Sequence, residues 1–309
     1  MTTHPKVSVI MNCFNGEKYV KAAIESVYAQ TYPNWEIIFL DNASSDCTPT
    51  IAKCFDQRLH YFRNHQTVPL GEARTQALRH ASGEYLAFLD SDDLWLPVKL
   101  EKQMPLFKNR PELGLVFSDT EIRYADSGRS TSYFKNHRYK PPRGKIFAAL
   151  LKHYSVPMLT AVIPARTLRS MTQWFDGKYQ VCDDFDFFMR LAYAWDCDYV
   201  DEKLATCLIH SEATTAKMHR YAPQEMANTI AKLRSQYPDL DNRFGPEINI
   251  FLKNVSFSQG KSQWQSGNNQ SARAEFRKHL FSPKFFFSYC STILSYNTFD
   301  QIRRILRRQ

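Results

Sequence analysis

The 309-residue sequence has no Cys-x-x-Cys pair among its seven cysteines, Cys13, Cys47, Cys54, Cys182, Cys197, Cys207 and Cys290. Their number is odd, so at least one thiol has no partner within the chain. Such scattered single cysteines argue against a disulfide scaffold and point to a reducing, cytoplasmic compartment. No apolar run reaches about 18 residues, so no membrane-spanning helix is expected. Residues 1–6 are polar and lead straight into a strand, unlike a secretory signal. Internal repeats and low-complexity segments are lacking. No Gly-x-Gly-x-x-Gly follows the first strand, where Asn12-Cys13-Phe14-Asn15-Gly16 stands instead, and this counts against a dehydrogenase. The net charge of +9 is concentrated late, at Arg303, Arg304, Arg307 and Arg308, without an RNA-module signature. No nucleic-acid partner is expected.

What is present is ordinary globular material, 43% hydrophobic and 23% charged, with enough chain for one large α/β domain or two smaller ones. Val7-Ser8-Val9-Ile10-Met11 reads as a buried strand, and Val20, Ile24, Val27 and Tyr28 then recur at helical spacing. Trp35 to Leu40 is a second strand ending at Asp41-Asn42. Ser44, Ser45 and Asp46 are candidate caps for the next helix, with Pro49 in its first turn. Leu59 to Arg63 is a third strand, Glu72 to Ala81 a third helix stopped by Ser82-Gly83, and the run from Tyr85 a fourth strand. This alternation over about 90 residues predicts a parallel sheet covered by helices. Ligands of such sheets bind beyond the carboxyl ends of the strands, where Asn12, Asp41 and Asp90 stand.

Further along, Leu115 to Asp119 is expected as a strand, residues 126–144 as a polar, basic loop able to order over a ligand, and Met158 to Pro164 as another strand. Asp183-Asp184 opens an amphipathic helix in which Asp186 reads as an exposed position. Leu204 to Ile209 is a strand ending at His210, and from about Pro223 the pattern is helical.

Most of the chemistry is concentrated in Tyr85-Leu86-Ala87-Phe88-Leu89-Asp90-Ser91-Asp92-Asp93. An apolar strand stops at three acids. Like charges this close raise one another's cost of ionising, and a divalent cation removes that cost. Asp93 also fits as N-cap of a following Leu94-Trp95-Leu96 segment. Leu94 and Trp95 stand where an EF-hand loop would need a ligand and a turn glycine, which disfavours a calcium loop.

Together with Val7-Ser8-Val9-Ile10, Asn15-Gly16-Glu17, Ser26-Val27, Gln30-Thr31, Asp41 to Asp46, Gly71-Glu72-Ala73-Arg74, Asp183-Asp184, His210-Ser211 and Thr214-Thr215, this stretch resembles the family 2 glycosyltransferases over roughly residues 6–215. The resemblance implies a GT-A, Rossmann-like, mostly parallel sheet covered by helices. It also implies inverting transfer of a sugar from a nucleotide-diphosphate sugar, UDP-sugar being the first guess, to a hydroxyl of a saccharide or lipid-linked acceptor in cell-surface polysaccharide or glycolipid synthesis. By resemblance the nucleotide sugar falls to Asn12, Asn15, Asp41, Arg74, Asp90 and Asp183, the metal (Mn²⁺ or Mg²⁺) to Asp92 and His210, and general base catalysis to Asp184. Asn12, Asn42, Thr75 and Asp183 depart mildly from the family's common residues.

Each assignment has a bland counterpart. Arg63 and Arg74 fit phosphate neutralisation or ion pairs with the acids. Asp183 and Asp184 fit helix N-capping, where the helix dipole would lower a carboxyl pKa. His210 fits a satisfied histidine at a strand end. Residues 1–120 are expected to form a nucleotide-sugar half, 121–217 an acceptor and catalytic half, and 218–309 a helical extension. Its segment after Pro283 mixes aromatics with arginines and fits either peripheral contact with the inner membrane or packing on the enzyme. Outside this family, a sugar-nucleotide pyrophosphorylase would need a Gly-rich phosphate loop after the first strand. A non-catalytic nucleotide- or carbohydrate-binding module would not need Asp41, Asp92 and Asp184 together.

Overall fold

The protein is described by a computed structural model covering residues 4–137, 140–213 and 218–306. Thr214, Thr215, Arg307 and Arg308 lie outside the described residues. The chain forms two compact units, Met1–Ala216 and Lys217–Gln309.

The first unit is a mixed α/β domain. Strands β1 (Val7–Cys13), β2 (Trp35–Asp41), β3 (Leu59–Arg63) and β4 (Tyr85–Phe88) are linked by helices α1 (Val20–Tyr28), α2 (Thr48–Ala52) and α3 (Leu70–Leu78). They lie parallel in the order β3-β2-β1-β4. β1 and β2 are buried along their whole length, as strands covered on both faces must be. Beyond β4 come β5 (Leu94–Trp95), helix α4 (Lys99–Gln103) and β6 (Leu113–Tyr124). These are followed by β7 (Ser130–Ser132), α5 (Tyr133–His137), α6 (Phe147–Lys152), β8 (Val162–Pro164), α7 (Ala165–Arg169), α8 (Asp183–Ala194) and β9 (Asp196–Ile209). The sheet continues β4-β8-β6-β9-β5, with β7 paired to β6. β8 is antiparallel to both β4 and β6, and β9 is parallel to β6. Two reversals restore the direction, so β9 ends at the same edge as β1, β2 and β4. This brings His210 to the end where the acids stand.

Four expectations change. Residues 126–144 are not a bare loop: β7 and α5 lie inside them, because the Asp119 carboxylate accepts from Ser132 Oγ (2.6 Å) and Phe134 N (3.0 Å). Met158 to Thr160 is a 3₁₀ turn, held by Thr160 Oγ1 donating to Pro157 O, and only Val162–Pro164 is strand. Leu94-Trp95 pairs with Thr206 and Ala205 of β9 instead of starting a helix; so short an apolar run gains more from an open sheet edge than from nucleating a turn. Asp186 is buried and bonded to Arg190 at 2.7 Å, one turn along α8, where an exposed position was expected.

At the opposite, amino end of β2, Glu36 accepts from Ser8 Oγ (2.6 Å), Ser82 N (3.0 Å) and Ser82 Oγ (2.8 Å), with Lys6 alongside. Burial alone would raise this carboxyl, but Lys6 and the serine donors hold it down to about 2. Its folded pKa lies below its unfolded value. The stabilisation is therefore complete above about pH 4.5 and is lost as pH falls towards 2. Glu36→Ala is expected to cost about 3 kcal/mol at pH 7 and much less near pH 2, read from urea unfolding at both pH values.

The second unit is helical: α9 (Ala222–Gln236), α10 (Leu240–Gln265), α11 (Asn269–Arg277), α12 (Pro283–Ser291) and α13 (Tyr296–Leu306). Its core is Trp264, Ala272, Phe276 and Phe285, with Phe257, Tyr289, Tyr296 and Phe299 packed on it. Gly260 of α10 lies against Phe276, whose ring would stand 2.6 Å from an added Cβ. Gly260→Leu is expected to destabilise this unit by about 2–3 kcal/mol, seen as an earlier thermal transition.

Candidate active site

Two loops at the carboxyl edge of the sheet interlock. Asn42 N donates to Cys13 O, Asn15 N to Ser44 Oγ, Gly16 N to Thr48 Oγ1, and Ser45 N to Asn15 Oδ1. Glu17 N donates to Asp46 Oδ2, and Cys47 N returns a bond to Glu17 Oε2. Residues 12–17 and 41–48 thus form one rigid shelf. Gly16 is required by closeness: a Cβ there would meet Cys13 Sγ at 2.4 Å. Asn15 (φ 51°) and Ala43 (φ 65°) take left-handed backbone at the bends. Ser44 and Asp46 are used inside this shelf, while the residue before α2 makes no side-chain cap bond.

Asp41 supports the shelf from below. It is fully buried; Oδ1 accepts from Ser44 N (2.8 Å) and Oδ2 from Tyr61 Oη (2.6 Å), with Arg63 Nη1 at 3.6 Å. Its carboxylate therefore does not itself face the cleft, and half-exposed Arg63 is the polar group beside it. Asn42 pins the segment 64–68 through bonds to Asn64 and to both backbone groups of Val68. Asn12 is buried, and its Nδ2 has no hydrogen-bond partner among the described residues.

The acids after β4 sit in a tight turn closed by Asp93 N donating to Asp90 O. Pairing of β5 with β9 folds this turn back, and each acid meets a different neighbour. Asp90 accepts from Arg74 Nη2 at 2.8 Å and keeps 37% of its side chain exposed. Asp92 lies 2.9 Å from His210 Nε2, with 30% exposure. Burial and then Asp90 push the Asp92 carboxyl up, while His210 pulls it down. Asp93 is buried and accepts from Leu208 N, so it fastens β9 instead of capping a helix. Burial, Asp92 and Asp90 hold its carboxyl well above the usual range.

The donor set fits a cation. Asp92 Oδ2 and His210 Nε2 are 2.9 Å apart, close to the separation of about 3 Å expected for two ligands at right angles on an ion bound at 2.0–2.1 Å. His210 Nδ1 is buried without a hydrogen-bond partner among the described residues, and Tyr19 packs on the ring at 4.9 Å. Among the described residues no three acidic, imidazole or thiol side chains converge on one point. The remaining donors would be phosphate oxygens and water, as is usual for Mg²⁺ in phosphate sites.

Arg74 joins this cluster to α8. It is buried on α3, and its guanidinium forks between Asp90 Oδ1 and Asp183 Oδ2, both at 2.8 Å. Burial opposes its charge, but Asp183 and Asp90 outweigh that and raise its pKa. Arg74 therefore braces acids, and Asp183 pairs with it; no side-chain cap bond starts α8. Asp184 is different. It keeps partial access to solvent, and its Oδ1 accepts from Phe185 N at 2.6 Å. Its carboxyl is pushed up to about 7, first by burial and second by Asp183, with Arg74 pulling the other way. Desolvation and a like charge thus overcome the helix N-terminus, which by itself would lower the value. A carboxylate poised near neutrality is suited to taking a proton.

Sequence reasoning missed the surroundings of Asp184. Tyr133 donates to Tyr154 O (3.3 Å), and both phenols are raised chiefly by burial, with Asp184 the next cause. Tyr154 Oη is buried without a hydrogen-bond partner among the described residues, and its ring packs on Phe185 at 5.1 Å. Tyr133 lies inside the 126–144 segment expected to cover a ligand, which was the one available signal; nothing in spacing marked Tyr154.

With this geometry in place, comparison with known proteins is decisive. The model of glycosyl transferase family 2 matches residues 8–166. The chain belongs to glycosyl transferase family 2. An uncharacterized glycosyltransferase of Methanocaldococcus jannaschii is 32% identical over 211 residues, covering 65% of this chain and 69% of that protein. The Escherichia coli UDP-Glc:alpha-D-GlcNAc-diphosphoundecaprenol beta-1,3-glucosyltransferase WfgD is 35% identical over 52% of this chain and 61% of its own. Among solved structures, Staphylococcus aureus TarS 1-349 in complex with UDP-GlcNAc superposes with a TM-score of 0.61 at 17% identity, covering 95% of this chain and 92% of that one. The mannosyltransferase PcManGT from Pyrobaculum calidifontis, in complex with GDP-Man and Mn²⁺, superposes at 0.62 and 15% identity, covering 94% and 85%. The fold is that of GT-A glycosyltransferases, and this family 2 member is a glycosyltransferase enzyme. No described helix is long and apolar enough to cross a membrane.

Proposed function

We propose that this glycosyltransferase transfers a sugar from a UDP-sugar to a hydroxyl of a saccharide carried on lipid, with inversion at the anomeric carbon, in cell-surface polysaccharide or glycolipid synthesis. The observation carrying this reading is the pairing of two poles: Asp184, with a carboxyl near 7, and the Asp92–His210 contact, linked through Asp183, Arg74 and Asp90. Residues 1–120 would receive the nucleotide sugar and 121–217 the acceptor, with 218–309 as the helical extension.

In the reaction Asp184 takes the proton of the acceptor hydroxyl as its oxygen attacks the anomeric carbon. The bond from that carbon to the diphosphate oxygen breaks with its electrons, through an oxocarbenium-like transition state, and nucleoside diphosphate departs. Asp92 and His210 would hold a divalent ion, Mn²⁺ or Mg²⁺, which when bound supplies charge neutralisation at the diphosphate. Asn12 and Asn15 would line the nucleoside side of the shelf. Asp41 would act through Arg63 and Tyr61, Arg74 and Asp183 would hold Asp90 in place, and Asp90 would meet the sugar nucleotide. The UDP choice is supported by WfgD, whose name gives UDP-Glc as donor and a diphosphoundecaprenol-linked acceptor. Such an acceptor would keep the enzyme on the cytoplasmic side, working next to the membrane.

A panel of UDP- and GDP-sugars, assayed for release of nucleoside diphosphate with Mn²⁺ and with EDTA, tests this. Release from a UDP-sugar that EDTA abolishes, and that Asp92→Ala reduces by about 100-fold or more, is the expected result. Full activity of Asp92→Ala would remove the metal assignment. Formation of nucleoside triphosphate and sugar 1-phosphate on adding pyrophosphate would instead reveal a pyrophosphorylase.

A further inference from the structure

We propose that helices α12 and α13 of the second unit, with the loops leading into them, form a docking surface for a membrane containing anionic phospholipid. The starting observation is the distribution of exposed apolar side chains. In the first unit the large apolar residues exposed among those described are Phe14 and Ile209. Between residues 281 and 305 there are seven: Phe281, Phe286, Phe287, Ile293, Leu294, Ile302 and Ile305. Phe281 is completely exposed and Ile293 74% exposed, both at loops between helices, where a chain ordinarily carries polar residues. An apolar concentration of this kind marks an interaction surface.

The side chains also form a continuous strip. Tyr296 and Phe299 of α13 pack on Trp264, so that face of the helix points to the core. Phe299 also meets Phe287 of α12 at 6.0 Å. Ile302 and Ile305 follow Phe299 at intervals of three; each such step turns about 60° back around the helix, so the apolar line winds off the core side, and the two are 44% and 62% exposed. The apolar line of α13 therefore winds out of its own core towards the exposed side of the helix. Packing within the unit accounts for its first half only.

Charge selects the occupant. From Phe276 to Phe299 the sequence contains no acidic residue, while Arg277, Lys278 and Lys284 lie in that stretch, and Arg303 and Arg304 flank Ile302 and Ile305. Asp300 bonds both of those arginines and is the lone acid of α13. A second copy of the chain, docked symmetrically through this strip, would bring the same cations face to face. Anionic headgroups offset that charge while the acyl boundary takes up the apolar side chains, which is how interfacial helices bind. The inference concerns this unit alone and does not depend on which sugar the first unit transfers.

The test is cosedimentation of the full-length protein with vesicles of phosphatidylcholine alone and of phosphatidylcholine with phosphatidylglycerol. Binding to the anionic vesicles that weakens in high salt is expected. It should fall about tenfold or more in an Ile302→Gln/Ile305→Gln variant and again in Arg303→Glu/Arg304→Glu. Ile302 and Ile305 are exposed, so the melting temperature of the first variant should not move; the second loses both pairs with Asp300 and should melt slightly earlier, and a thermal scan checks that each stays folded at the assay temperature. No binding to either vesicle would overturn the proposal, as would equal binding to neutral vesicles or binding unchanged in both variants. A dimer in light scattering that Ile302→Gln/Ile305→Gln converts to monomer would assign the strip to a second copy instead. No sugar or turnover enters this assay, so its failure leaves the catalytic reading untouched.

Discussion

Asp184→Asn is expected to lower turnover by 10²- to 10⁴-fold, of the order that loss of a general base costs, and at the same time to make the protein more stable at pH 8. The two effects have one cause. Burial and the neighbouring Asp183 lift the Asp184 carboxyl to about 7, so the ionised form that a general base would need is disfavoured in the folded protein. The sign follows from proton binding. The folded pKa lies above the unfolded value of 3.8, so the unfolded chain ionises first as pH rises. Stability from this group is complete below about pH 4, declines through pH 7 and stays low above it. An amide has nothing to ionise. Asp184→Asn should therefore match the wild type near pH 4 and exceed it by roughly 1–3 kcal/mol at pH 8. Urea unfolding at the two pH values, beside a turnover assay, reads both effects. A variant that is inactive and equally destabilised at both pH values would mean that Asp184 is a structural residue.

Arg74→Met should have the largest effect on stability. The arginine is buried and neutralises Asp90 and Asp183 at once, both at 2.8 Å. Methionine keeps much of the volume and removes the charge, leaving Asp183 buried with an uncompensated carboxylate, at a cost of about 3–5 kcal/mol. Arg74 also holds Asp184 down, so its loss should raise that carboxyl further and shift its ionisation to higher pH. Arg74→Lys should recover little, because a single ammonium cannot fork between two carboxylates as a guanidinium does. Wild-type stability in Arg74→Met would show that the two acids are solvated or protonated in the native state and that the bridge contributes nothing.

The parallel alternation of the first four strands was readable because each is a largely apolar run stopped by a polar turn. The cluster at Asp90, Asp92 and Asp93 was readable for the same reason. The way its members diverge was not, since it depends on partners far away in the chain: His210 for Asp92, Leu208 for Asp93, Arg74 for Asp90. Asp186 misled because a charged residue on a helix is usually solvated; here Arg190 one turn on makes burial tolerable. Helix-dipole reasoning on Asp184 pointed the wrong way, because the density of packing around a carboxyl is a tertiary quantity. The polar, basic composition of residues 126–144 concealed β7 and α5, which depend on acceptance by Asp119 more than on any local pattern. Tyr154, placed beside Asp184 by the 3₁₀ turn and loops before β8, had no local signature at all.

If Asp184 takes the acceptor proton, the pH dependence of kcat/KM for sugar transfer must report its ionisation. The profile should rise with pH through a single ionisation with a midpoint near 7, and that limb should disappear in the residual activity of Asp184→Asn. A wild-type profile flat between about pH 5 and 8, or a limb that persists in Asp184→Asn, would rule Asp184 out as the base.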